Sequence, residues 1–228
     1  MNRLLFPLII GIGGLAILIY LGTWQVQRVA WKEALLAEIE DRIAAEPVAL
    51  PEAPDPEVDR YLPVQISGQF APEPRARMLA SRRQIGAVHR NIAVFDTDNA
   101  GRILVDIGWT EDDVTPPALP TSPITLTGNL DWPREADGFT PEPDLATDFW
   151  FARDVQAMAA AYDTRDILLV LRQMPQTDLG TTPWPVDTAG IPNDHLQYAI
   201  TWFSLAAIWI MMTALFLWRS RTQRQAKD

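Results

Sequence analysis

Residues 4–27 read LLFPLIIGIGGLAILIYLGTWQVQ, and the only ionisable side chain among them is the Tyr20 phenol. A second run, residues 196–218, reads LQYAITWFSLAAIWIMMTALFLW and carries only the Tyr198 phenol. At 1.5 Å per residue each run reaches roughly 35 Å as a helix, enough to cross a hydrocarbon core of about 30 Å. Two transmembrane helices are expected, over 4–24 and 196–218. The first apolar stretch is longer than the h-region of a signal peptide and no A-x-A-like site follows it, which predicts an uncleaved anchor. Trp24, Trp31, Trp202 and Trp218 stand near the span ends, where amphipathic rings favour the headgroup layer.

Charge divides along the same lines. Residues 25–195 hold 14 Lys/Arg against 28 Asp/Glu, whereas the ends hold Arg3, Arg219, Arg221, Arg224 and Lys227 against Asp228 alone. By the positive-inside rule both termini are expected in the cytoplasm, with a basic tail over 219–228 and the acidic middle outside, in the periplasm of a bacterial inner-membrane protein. A chain of 228 residues with 48% apolar content can bury one soluble core beside two spans.

Between the spans, Trp31, Leu35, Ile39 and Ile43 form an i, i+4 ladder that predicts a helical stalk over 25–46, stopped by Pro47. PVALPEAPDPEVD (47–59) reads as an acidic, proline-rich linker. YLPVQISGQF, RARMLA, AVHRNIAVF, GRILVDIGW, ITLTGNL and ILLVLRQ read as short strands separated by turn signals such as DTDNAG. The alanine-rich segment from Phe149 to Tyr162, free of Gly and Pro, predicts one helix. TTPWPVDTAGIPND leads back towards the membrane. The expected fold is an α+β membrane protein: two transmembrane helices flanking a β-rich extracytoplasmic domain over 47–194, a short antiparallel sheet or small barrel plus one helix.

Absences narrow the function. The acidic middle repels phosphate backbones and no basic stripe with interleaved aromatics is present, which argues against nucleic acid as a partner. With no cysteine there is no disulfide, no C-x-x-C-H haem attachment and no thiolate metal site. Two histidines, His89 and His195, and six scattered Met give a soft-metal carrier too few ligands. There is no G-x-S-x-G, G-x-x-x-x-G-K-[ST], G-x-G-x-x-G or H-E-x-x-H motif, so no enzyme is expected. The run Glu111, Asp112, Asp113 reads as solvated surface, and His89 as a surface or satisfied strand residue.

Two stretches beside the spans carry the remaining signal. In LGTWQVQRVAWK, Trp24, Arg28 and Trp31 share a helix face at i, i+4, i+7, with Lys32 a turn beyond Arg28. In IPNDHLQYAITWFSLA, His195, Tyr198 and Trp202 recur at i, i+3, i+7 after Pro192 and Asn193. Two readings stand open. In one, the cations snorkel to lipid phosphates, the rings form the aromatic belt, and Asn193 or Asp194 caps the helix. In the other, the two faces meet around something amphipathic and anionic.

These stretches, GTWQVQRVAWK after one span and PNDHLQYAITWF opening the other, resemble the Surfeit locus protein 1 family, assembly factors for haem-copper cytochrome c oxidase. The resemblance extends through AVHRNIAVFDTDNAGRILVDIGWT and FWFARDVQAMA, departing where members commonly carry Asn-Arg before Gly-Trp and this chain has Asp106 and Ile107. It implies a two-span protein in the lipid bilayer that handles haem a between haem a synthase and oxidase subunit I. It matches Trp24, Gln25, Arg28, Trp31 and Lys32 in the first motif, and Pro192, Asn193, His195, Tyr198, Trp202 and Phe203 in the second. On that implication His195 is the expected metal ligand, to haem iron, Arg28 and Lys32 the partners of the propionates, and Trp24, Trp31, Tyr198 and Trp202 the walls. A haem-free scaffold for subunit I and a membrane-tethered hydrolase are the competing classes.

Overall fold

The computed structural model describes residues 2–82 and 85–225; the end of the expected basic tail, 226–228, lies outside the described residues. The element order is α1 (Asn2–Ala44), β1 (Val48–Ala49), β2 (Pro63–Arg82), β3 (Gly86–Thr97), β4 (Gly101–Glu111), β5 (Ile124–Asp131), β6 (Phe149–Trp150), α2 (Val155–Tyr162), β7 (Leu168–Leu171) and α3 (His195–Gln225). Two compact units result: a helix pair from Met1–Glu38 with Ala189–Asp228, and a β unit over Ile39–Thr188.

In the helix pair, α1 and α3 are each long and apolar enough to cross a membrane. Phe6, Ile9, Ile12, Ile17, Ile200, Ile208, Met211, Met212 and Phe216 are exposed along them, an apolar surface that water does not cover at acceptable cost. The two helices run antiparallel and meet at glycines. A Cβ at Gly11 would lie 2.5 Å from Thr213 Cγ2, one at Gly14 2.6 Å from the Trp209 ring, and one at Gly22 2.7 Å from the Phe203 ring. The Trp209 indole N–H donates to the Gly11 carbonyl at 2.8 Å. Ala199 and Ala206 are the buried positions on the α3 side. Small residues that let two backbones approach are what helix association in lipid needs, since burial of apolar surface gives no gain there.

The strands of the β unit pair in a ring. β2 pairs β3, β3 pairs β4, β4 pairs β7, β7 pairs β5, and β5 returns to β2, so the sheet closes on itself as a small barrel. The pairs β2–β3, β3–β4, β5–β7 and β2–β5 are antiparallel, while β4–β7 is parallel. The expected antiparallel sheet is therefore mixed, because the chain passes through β5, β6 and α2 before β7 returns beside β4. Phe70, Phe95, Ile103, Leu104, Leu126, Leu130, Met158, Leu168 and Leu169 belong to one hydrophobic core, each almost wholly buried. The rings of Phe70 and Phe95 meet edge to face at 5.0 Å.

Two local expectations change. YLPVQISGQF and RARMLA are one strand, β2, carried past Pro72 and Pro74 by an irregularity between Phe70 and Arg75. A bulge is where a strand tolerates prolines, which cannot donate to the ladder. The helix expected from Phe149 begins only at Val155, because Phe149 and Trp150 pair with Arg77 and Met78 of β2 and Asp154 caps the helix, its carboxylate accepting from Ala157 N at 3.0 Å. The final turn of α1 belongs to the barrel unit, where Asn129 Nδ2 and the Arg172 guanidinium donate to the Ile43 carbonyl, one of the carbonyls a helix end leaves without an intrahelical partner.

Candidate functional site

Following the seam of the helix pair from Gly22 by one helical turn leads to Gln25, only 8% exposed. Its side-chain oxygen lies 2.9 Å from Nδ1 of His195, the first residue of α3. A buried amide on a helix facing lipid needs a partner, and the imidazole supplies one. Three residues beyond Gln25, the Arg28 guanidinium lies 4.3 Å over the centre of the Trp31 ring. That stacking contact holds the cation but leaves its Nε buried without a hydrogen-bond partner. Asn193 Oδ1, just before α3, is buried and unpartnered too. This end of the helix pair therefore holds an oriented imidazole and unspent polar capacity on a cation and an amide.

Of the residues singled out from the sequence, Arg28, Lys32, His195 and Trp202 are partly buried, whereas Trp24, Trp31 and Tyr198 present exposed faces. The face expected from His195, Tyr198 and Trp202 is rotated: Ala199 is the residue against the seam, at 2% exposure, and Tyr198 is 55% exposed beside it. Gln25 was matched in the first motif but given no role. The signal for it is the glycine ladder, since a residue three beyond Gly22 falls on the packed face. An imidazole, two cations and aromatic faces suit a flat, apolar, dianionic molecule with a Lewis-acidic centre, because a porphyrin brings four nitrogens of its own and asks the protein only for an axial base.

The barrel carries a second cluster. Arg90 Nε donates to the Asp106 carboxylate, and both side chains are buried. Arg153 lies 3.8 Å from Asp106, 3.9 Å from Asp131 and in contact with Glu135, and Arg60 Nε meets Asp131 at 3.0 Å. Arg90 also donates to the Trp184 carbonyl at 3.1 Å, and its guanidinium lies 4.7 Å over the Trp184 ring; Arg82 lies between the rings of Trp184 and Trp109. Burial alone would push the Glu135 carboxyl up, but the hydrogen bond and charge of Arg153 outweigh it and hold the carboxyl below its ordinary range. Burial disfavours the Arg153 cation, yet the carboxylates around it hold its affinity for the proton above the usual value. Each carboxylate here faces a guanidinium, an arrangement that fixes a fold rather than exchanging protons. Ile107, at the position where the resemblance led to an arginine, is fully buried and is skipped by the β3–β4 register, which passes from Gly108 to Asp106.

His89 is a buried strand residue. Its Nδ1 lies 3.4 Å from Arg77 Nη2 and 3.3 Å from the exposed Asp112 carboxylate. Burial and then the Arg77 charge lower its pKa, with Asp112 opposing. No group of three or more His, Cys, Asp or Glu able to hold a bare metal ion occurs among the described residues.

Comparison with known proteins agrees with the resemblance. The chain is 32% identical to Surfeit locus protein 1 of Homo sapiens over 211 residues, covering 82% of this chain and 69% of that protein. It is 31% identical to the Xenopus tropicalis protein of the same name over 216 residues, covering 82% and 68%. A SURF1-like protein of Rickettsia bellii is 26% identical over 210 residues, covering 88% and 86%. The model of the SURF1 family matches residues 13–207, which takes in the Gln25–His195 pair and the whole barrel, and the chain belongs to that family.

Proposed function

We propose that the protein is an assembly factor for haem-copper cytochrome c oxidase, held in the bacterial inner membrane by α1 and α3, that carries haem a transiently at the periplasmic end of the helix pair. Family membership supports the oxidase-assembly role. The haem role rests on one observation: His195 is held by Gln25 across the seam, a turn from an Arg28 whose buried Nε lacks a partner. His195 would hold the iron, Arg28 and Lys32 would pair with the propionates, and Trp24, Trp31, Tyr198 and Trp202 would border the macrocycle. Bound there, haem a would bring a Lewis-acidic iron for the His195 imidazole to hold. One imidazole holds it less firmly than two, which suits a carrier that receives haem a from its synthase and gives it up to subunit I. Arg3 near the start of the chain and Arg219, Arg221 and Arg224 in the last turns of α3 support cytoplasmic termini and a periplasmic barrel.

The test is an absorption spectrum with a pyridine-haemochrome assay on the protein purified in detergent from cells making haem a, beside its His195→Ala variant. Haem a in the wild type, lost or spectrally altered in the variant, is the expected result. A colourless wild type that still co-isolates with subunit I would replace this reading with a haem-free scaffold that stabilises the subunit during assembly.

A further inference from the structure

A histidine can offer either ring nitrogen, and which one is available depends on where the neutral imidazole keeps its proton. In the helix pair the group facing Nδ1 of His195 is the side-chain oxygen of Gln25, at 2.9 Å. A carbonyl oxygen accepts and cannot donate, so the contact is a hydrogen bond only if Nδ1 carries the proton. Gln25 is 8% exposed, so little water competes for that oxygen. The two partners lie on different helices, whose approach is set by the Phe203 ring seated on Gly22 and the Trp209 ring on Gly14.

We infer that Gln25 is the positioning residue of the site, holding His195 as its Nδ1–H tautomer so that Nε2 presents the lone pair that binds iron. This rests on the haem reading above and adds to it a nitrogen and a reason. Histidines that bind metals generally donate their other N–H to an oxygen, which fixes the ring and raises its basicity, and loss of that oxygen weakens binding roughly 10- to 100-fold. Here the oxygen comes from the opposite helix, so the imidazole is oriented only while α1 and α3 are in register.

Nitrogen-15 NMR of the haem-free full-length protein in detergent, labelled at histidine, reads the tautomer directly, with His195→Ala assigning the signal. The expected spectrum has a protonated Nδ1 and an unprotonated Nε2. Gln25→Leu should shift the proton towards Nε2 and weaken haem a binding about 10-fold or more. Gln25→Glu, which keeps an accepting oxygen and adds charge, should restore Nδ1–H and binding and lower the midpoint potential of the bound iron. A wild-type ring protonated on Nε2 overturns the inference whatever the haem result. So does haem binding by Gln25→Leu at wild-type strength. An Nδ1–H ring in a protein that takes up no haem a overturns the haem reading and the positioning role with it, and leaves the pair as a clamp between the helices.

Discussion

The two units of this chain solve opposite packing problems with the same amino acids. The barrel buries Phe70, Phe95, Leu104, Leu126, Leu168 and Leu169 almost completely, and water expelled from those side chains drives its folding. The helix pair leaves Phe6, Ile12, Ile17, Met211 and Phe216 exposed along its length and closes on glycines, the Trp209 indole hydrogen bond and the Gln25–His195 contact. Charge is treated differently as well. The barrel's interior charges are matched guanidinium to carboxylate around Asp106 and Asp131, whereas the buried Nε of Arg28 in the helix pair has no partner. Each unit also contains an unpartnered atom on an amide or indole: Asn193 in the helix pair, Asn91 and Trp109 in the barrel. The barrel pair sit beside the place where the β3–β4 register slips. No such irregularity lies beside Arg28. A fully matched network stabilises a fold, and spare capacity on a cation beside an oriented imidazole is what a site for an anionic ligand leaves open.

The largest expected effect comes from unbalancing the matched network. Asp106→Ala removes the acceptor for Arg90 Nε and Gly108 N and a charge 3.8 Å from Arg153, leaving two buried guanidinium groups underpaired. The expected loss is about 3–5 kcal/mol, read from guanidinium unfolding of the full-length protein in detergent by tryptophan fluorescence. A loss below about 1 kcal/mol would mean that the barrel tolerates unpaired charge, and the contrast with the helix pair would fall. On the other side, Gly22→Leu forces the Phe203 ring out of its seat and should cost about 1–3 kcal/mol of helix association. Since the chain has no cysteine, reporter cysteines introduced on α1 and α3 can be cross-linked with and without that change. Unchanged cross-linking would show that the glycines do not set the approach.

Much of this architecture is legible from the sequence because its signals are long. Two apolar runs of over twenty residues and an acidic middle with alternating strands identify the class, since lipid and water select for composition over whole segments. Single-residue signals fare worse. Pro72 and Pro74 read as a break, yet β2 runs through them because both of its halves keep pairing with β3 on either side of the irregularity. FWFARD reads as helix from its lack of Gly and Pro, but Phe149 and Trp150 are taken by β2 and Asp154 sets the helix start. In the site, the aromatic and cationic residues announce themselves by chemistry, whereas Gln25 differs from any polar residue near a membrane surface only by standing on the glycine face. The Asp106 network is not legible at all, because Arg90, Arg153 and Asp131 are assembled by the closure of the barrel.

A smaller effect tests whether the barrel's balance extends to its margin. His89 is held below its ordinary pKa of 6.5 by burial and by Arg77. The unfolded chain therefore takes up the proton first, and stability should be full above about pH 6.5 and decline as pH falls below it through the folded-state value. His89→Gln should flatten that part of the stability–pH curve. The fall below about pH 4.5, where Glu135 loses the charge that Arg153 holds, should remain. A curve that the substitution leaves unchanged in the upper window would assign that slope to other groups.

The smallest expected change is the one that most sharply separates the two units. Trp209→Phe keeps a flat ring against Gly14 but removes the indole N–H that donates to the Gly11 carbonyl. A polar bond in hydrocarbon looks costly to lose, yet interhelical hydrogen bonds in membrane proteins average about 0.6 kcal/mol, because the separated helices find other partners. The carbonyl of Gly11 also keeps its place in the helix ladder of α1, so its loss of a second donor leaves no wholly unpaired group. Trp209→Phe should therefore weaken helix association by well under 1 kcal/mol, several-fold less than Asp106→Ala costs the barrel. A penalty of 2 kcal/mol or more would mean that the helix pair, like the barrel, depends on polar matching rather than on close approach at glycine, and Gly22→Leu should then prove the milder of the two substitutions.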